Sequence, residues 1–168
     1  MGVLVGLVAI MLLIAGLMGE FGVVGFIISA GILIAAIPQA IKNVKSGLHG
    51  VPMSEIDKMK GYDFENYCAK VLKSMGYSQV RVTPPSGDFG ADIVAMDKKN
   101  QRWVFQCKRY ASKLGNTPIQ EIVAAKGHYH AVCAGVITNS TFTIKARQLA
   151  KENNVMLIER EQLSKLIK

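Results

Sequence analysis

A single charged side chain, Glu20, interrupts the first 41 residues of this chain. Two apolar runs, Gly2–Met18 and Phe21–Ala40, flank Gly19-Glu20. At ~1.5 Å per residue each would reach roughly 25–30 Å as a helix, close to the hydrocarbon thickness of a bilayer. Backbone groups in lipid must bond within their own segment, which a helix achieves. Glycines at positions 2, 6, 16, 22, 25 and 31 suit close helix–helix contact there. A signal peptide fits less well, because Met1-Gly2-Val3 offers no basic n-region and a second apolar run follows at once. The expectation is a transmembrane helical hairpin over residues 1–46, with its basic flank and contact to membrane lipid. One longer or re-entrant helix and a buried soluble hairpin are the alternatives.

Charge sets the orientation. Lys42 and Lys45 directly follow the second run, and such residues stay on the cytoplasmic side. Glu20 then falls in the far-side turn, at a cell (inner) membrane, with everything after the anchor in the cytoplasm. Cys68, Cys107 and Cys133 are odd in number, widely spaced and form no CxxC pair, as expected in a reducing compartment. Residues 51–168 hold 18 basic against 11 acidic side chains. That balance points to nucleic acid or an anionic lipid surface, and away from a disordered chain or a disulfide-stapled secreted module.

Residues 47–60 read as a linker, with a short helical turn from Ser54 whose Ser54 and Asp57 have capping-box spacing. A first firm helix is expected from Asp63, its N-cap, to Met75, with Gly76 as the stop. Strands are expected over Gln79–Thr83, Ala91–Met96 and Arg102–Lys108, the last two joined by the turn Asp97–Asn100 into an antiparallel hairpin. Thr117-Pro118-Ile119-Gln120 opens a further helix. Ala134–Thr138, Phe142–Asn153, Val155–Ile158 and Glu161–Ile167 then read as strand, helix, strand and helix. The order is that of an α/β domain with a mixed β-sheet flanked by helices.

The hairpin holds the residues that point to chemistry. Gln106 and Lys108 are two apart in one strand and share a face, and Asp92 begins the facing strand. Cys107 points away, although its backbone carbonyl stays available. A carboxylate, an amide oxygen and a carbonyl suit a hard cation such as Mg²⁺, and a neighbouring lysine suits the orientation of a water. The plainer readings are an exposed polar face for Gln106 and Lys108, a turn residue for Asp88, a first-turn carboxylate for Glu65 and a capping role for Gln120. His128 and His130 lack ligand partners at metal spacing. Cys107 lacks the His/Asp pair of a catalytic thiol.

Gly61-Tyr62-Asp63-Phe64-Glu65, Gly87-Asp88-Phe89-Gly90-Ala91-Asp92 and Gln106-Cys107-Lys108-Arg109, followed by Thr138-Asn139-Ser140 and Leu157-Ile158, occur in this order. In these motifs residues 61–168 resemble the Mrr-like restriction endonucleases of the PD-(D/E)xK nuclease superfamily. The resemblance implies a restriction-endonuclease-like fold and hydrolysis of DNA phosphodiesters with Mg²⁺, or Mn²⁺ as its substitute. It implies that Asp92 is the central metal ligand and that Gln106 stands for the acidic residue of (D/E)xK, the QxK variant. Cys107 would add its backbone carbonyl, Lys108 would position the attacking water, and Glu65 would support metal or water from the side. The missing negative charge at Gln106 implies weak metal affinity. A membrane segment in place of a DNA-reading domain departs from the family's usual architecture.

Arg81, Arg102, Arg109 and Lys113 are among the cations expected to neutralise DNA phosphates without reading sequence. A catalytically idle module tethering DNA at the membrane remains an alternative, as does a Holliday-junction-type nuclease acting on branched DNA as a homodimer.

Overall fold

The computed structural model describes residues 51–84, 87 and 89–166, which belong to a compact unit spanning Leu48–Lys168. The expected membrane hairpin and Asp88 lie outside the described residues. Among the described residues no helix is long and apolar enough to cross a membrane.

Five strands form one sheet in the order β1 (Ser78–Val82), β2 (Ile93–Met96), β3 (Arg102–Lys108), β4 (Cys133–Thr138) and β5 (Val155–Ile158). β1, β2 and β3 are antiparallel neighbours, whereas β3, β4 and β5 run parallel. The parallel half follows from its connections, since α3 (Thr117–His128) and α4 (Ile144–Glu152) are the crossovers that parallel strands require. Before the sheet come α1 (Met53–Ile56) and α2 (Gly61–Ser74), and after it α5 (Arg160–Leu166).

Strand alternation divides the core into two layers. Ile93, Ala95, Phe105 and Cys107 pack against α2 and α5 through Phe64, Cys68, Leu72 and Leu163. Val104, Ala134 and Val136 pack on the other face against Ile119, Ile122 and Ala125 of α3 and Ala146 and Ala150 of α4. Each fully buried large side chain of this kind contributes about 1.5–3 kcal/mol relative to exposure, so β3, apolar on both faces, anchors both layers.

Local chemistry moves several expected boundaries. The N-cap of α2 falls three residues before the expected Asp63: it is Lys60, without a side-chain cap bond, and Asp63 lies in the first turn. At its other end Gly76 adopts φ +93°, and the Gly76 and Tyr77 N–H groups donate to Lys73 O and Leu72 O at 3.1 Å. This paired arrangement requires a left-handed residue after the helix. The expected capping boxes do not form, because Pro52 caps α1 and Asn116 caps α3, neither through its side chain.

Residues expected to be linker also join the domain. Ile56 is fully buried. Arg160 grips Asp57 with both Nη atoms at 2.7 and 2.9 Å, and Asn139 Nδ2 donates to Asp57 Oδ1 at 2.8 Å. The Arg160 hydrogen bonds hold the Asp57 carboxyl below its ordinary range against a smaller opposing effect of burial. Arg147 does the same to Glu159 through bonds of 2.7 Å. Carboxyls depressed in the folded state add stability above their unfolded pKa of ~4, and that stability is lost as pH falls through the lower folded value. Thermal stability is therefore expected to be flat above about pH 5 and to fall below about pH 4. Asp57→Asn should flatten part of that acid limb. An acid limb identical in wild type and Asp57→Asn would remove this pair from the account.

Candidate active site

The site gathers where β3 ends and β2 begins. Register pairs Ile93 with Phe105, so Asp92, one residue before β2, falls opposite Gln106. There the chain leaves the regular ladder. The Asp92 N–H donates to Phe105 O at 2.9 Å, while its carboxylate Oδ2 accepts from the Cys107 N–H at 2.6 Å. A strand amide thus fixes a carboxylate that is only 8% exposed. A short bond of this kind orients the carboxylate and satisfies the strand amide.

Gln106 and Lys108 share the α3 face, as alternation requires. The Gln106 amide is assigned from its neighbours. Its nitrogen donates to Glu121 Oε2 at 2.9 Å and to Gly90 O at 3.2 Å, and its oxygen accepts from Lys108 Nζ at 3.0 Å. Lys108 Nζ also pairs with Glu121 Oε2 at 3.3 Å, with the two side chains 26% and 40% exposed. A pair this open adds at most about 1 kcal/mol. Its weight is geometric, because it fixes where the ammonium sits and an incoming phosphate can compete for it.

Glu121 is the site residue that sequence reasoning missed. Its neighbour Gln120, the residue the sequence singles out there, is exposed, and its N–H bonds Asn116 O in the first turn of α3. The available signal was topological: a crossover helix between parallel strands starts over the end of the strand it leaves, so the opening turns of α3 lie beside Lys108.

Glu65 lies half-buried in α2 and approaches from the opposite face. Burial pushes the Cys107 thiol well up, helped by a hydrogen bond with Cys68 and by the charges of Asp92 and Glu65. Cys107 is therefore a neutral core thiol and no nucleophile at neutral pH. His128 stacks on Phe89 and meets Tyr129 edge-on.

The four expected DNA-binding cations are dispersed. Lys113 is exposed and lines a cleft of about 300 Å³ with Lys108, Tyr110 and Glu121. Arg109 is half-buried and donates through Nη1 to Asp57 O at 3.0 Å. Arg81 is exposed on β1 opposite Val94. Arg102 opens β3, at the other end of the strand from Lys108, and donates to Tyr129 O at 3.0 Å.

The donors near this end of β3 are oxygens: the carboxylates of Asp92 and Glu65, the Gln106 amide and main-chain carbonyls. Among the described residues no three His, Cys, Asp or Glu side chains cluster as in a closed metal cage. Such a set suits Mg²⁺, which takes one or two carboxylates and keeps water and substrate phosphate in its shell. The Gln106 oxygen has a second lone pair beyond the one facing Lys108.

A family model described as "Restriction endonuclease" (Mrr_cat) matches residues 56–167. The chain belongs to this family. Its match begins at Ile56, the first of the described residues to be fully buried in the domain core. As an Mrr_cat restriction endonuclease domain, the described part is a nuclease fold of a DNA endonuclease family. Among curated proteins none matches. The DNA modification-dependent restriction endonuclease AspBHI is similar in structure, with a TM-score of 0.56 at 13% identity over 74% of this chain and 35% of that one. A protein of unknown function, AF1548, aligns with a TM-score of 0.52 at 16% identity, over 62% of this chain and 65% of that one. The chain thus spans less than two thirds of the length of either. At these identities the likeness concerns the fold.

Proposed function

We infer that this protein is a metal-dependent DNA endonuclease, tethered to the inner membrane by residues 1–46 with its Mrr_cat domain in the cytoplasm. The observation that carries the reading is the convergence of a buried, amide-fixed Asp92 with Gln106 and Lys108 at one strand end. Simple DNA binding has no use for a buried carboxylate in a basic domain.

Asp92 and Gln106, with the Cys107 carbonyl, would hold Mg²⁺ or Mn²⁺, which when bound neutralises phosphate charge and acidifies a water. The chain's own residues supply position. The Cys107 N–H holds the Asp92 carboxylate in place. Glu121 and Gly90 O lock the Gln106 amide so that its oxygen, not its nitrogen, faces Lys108. Lys108 exchanges Glu121 for the scissile phosphate and orients the attacking water, stabilising the charge that develops on phosphate oxygens. Glu65 adds a second carboxylate from the α2 side. Exposed cations such as Lys113 and Arg81 neutralise neighbouring phosphates, which gives salt-sensitive binding with little base preference. The apolar runs before Lys42 and Lys45 support the tether, and a homodimer would place two such sites on one duplex.

The test is incubation of the purified full chain, in detergent, with supercoiled plasmid across Mg²⁺ and Mn²⁺ concentrations. Metal-dependent nicking is expected. DNA binding without cleavage at any concentration of either metal would instead identify a tethering module.

A further inference from the structure

Among the described residues three aromatic side chains are mostly exposed, Tyr62 at 57%, Phe89 at 61% and Tyr110 at 51%. The remaining described aromatics are buried or half-buried. Tyr62 lies three residues before Glu65, Phe89 three before Asp92, and Tyr110 two after Lys108. The Tyr62 and Tyr110 segments meet at one end of the sheet, and the Phe89 loop runs from that end along α3, past Glu121 at Gly90 to His128. β3 ends and β2 begins at that end of the sheet, while the far end of α2 feeds β1 where Ser78 pairs with Met96.

Tyr110 is held by its main chain, not by its ring. Its N–H donates to Asn139 Oδ1 at 2.9 Å. It lines both the cleft that holds Lys108 and Lys113 and a second cleft of about 380 Å³ that holds Arg109 and Arg160.

Phe89 adopts φ +48°, a left-handed conformation that a bulky side chain seldom takes and that must be maintained by its surroundings. Its ring stacks on His128 with centroids 3.7 Å apart and planes 20° apart, yet most of the residue stays exposed. His128 ends α3, about 10 Å along the helix from Glu121. Neither ring serves the core. Cations alternating with open aromatic faces are what a single strand needs, its phosphates on the cations and its bases on the rings. A continuous duplex keeps its bases stacked on one another and gains nothing from such rings.

We propose that Tyr110 and Phe89, with Tyr62 on the flank, stack unpaired bases of a DNA strand beside the cleavage site, so that DNA carrying a single-stranded gap is preferred over continuous duplex. The inference rests on the nuclease reading for the identity of the site, and its test reads binding alone. Fluorescence anisotropy of the full chain, with Ca²⁺ in place of Mg²⁺, compares a duplex with a short gap against the intact duplex of equal length. A 2-aminopurine in the gap reports stacking directly.

Wild type should favour the gapped DNA and quench the 2-aminopurine. Tyr110→Ala and Phe89→Ala should each reduce gapped-DNA affinity by roughly 5- to 150-fold relative to duplex affinity, the range for losing one base–aromatic stack. Tyr110→Phe should restore both signals. Equal affinity of wild type for the two DNAs would overturn the proposal, as would an unquenched probe or an equal loss on both DNAs in the alanine variants. Gap preference in a protein that never cleaves would sink the nuclease reading and leave this one standing; cleavage without gap preference would do the reverse.

Discussion

Lys108→Met is expected to slow DNA cleavage by about 10²–10³-fold while weakening DNA binding by less than about tenfold. Methionine keeps the unbranched stem that packs beside α3 and removes only the ammonium. That ammonium is the group that meets Gln106 Oε1 at 3.0 Å and Glu121 Oε2 at 3.3 Å. Stability should hardly change, since the part-exposed pair with Glu121 adds little. Single-turnover cleavage and equilibrium binding on the same DNA separate the two effects. Losses of equal size in both would make Lys108 a phosphate anchor and remove it from the chemical step.

Gly90→Ala should damage the site from behind. Gly90 has φ +85°, and a Cβ there would lie 3.2 Å from Glu121 O and 3.3 Å from Glu121 Cβ. The left-handed backbone alone costs an L-residue about 1–2 kcal/mol, and the backbone of α3 cannot simply give way. A total loss of about 2–4 kcal/mol is expected, visible as a lower thermal midpoint. Because Gly90 O also accepts from Gln106, cleavage should fall further than stability explains. A variant with wild-type midpoint and rate would show that the β1–β2 loop does not need to touch α3.

The residues expected to be strands were legible where side-chain pattern alone decides. β3 and β5 have the limits expected of them, Arg102–Lys108 and Val155–Ile158, whereas β2 starts at Ile93 and not Ala91 because the chain leaves the ladder at Asp92. Helix starts were less legible. Asp63 looks like an N-cap, yet α2 starts at Gly61, because packing of Phe64 and Tyr67 sets the helix and its cap side chain is dispensable. Residues 53–57 looked like linker because Ile56 is buried by a core assembled from later elements and Asp57 pairs with Arg160, 103 residues away.

The site divides in the same way. Gln106 and Lys108 share a face by strand period, and the hairpin brings Asp92 opposite. That Asp92 would be held by the Cys107 N–H, and that Glu121 would face Lys108, follows from where the β2 ladder stops and how α3 crosses over. Neither is written in residue spacing.

The most direct test of the account is the nicking rate of Asp92→Asn beside wild type, in the full chain at saturating Mg²⁺. Asparagine is the substitution to use. Alanine would strip the buried Cys107 N–H of its acceptor at a cost of about 1–3 kcal/mol, whereas an amide oxygen can still accept from it. The variant should unfold near the wild-type temperature and nick plasmid at least about 10³-fold more slowly. Nicking by Asp92→Asn at the wild-type rate would contradict it, and would move the active site away from this end of β3.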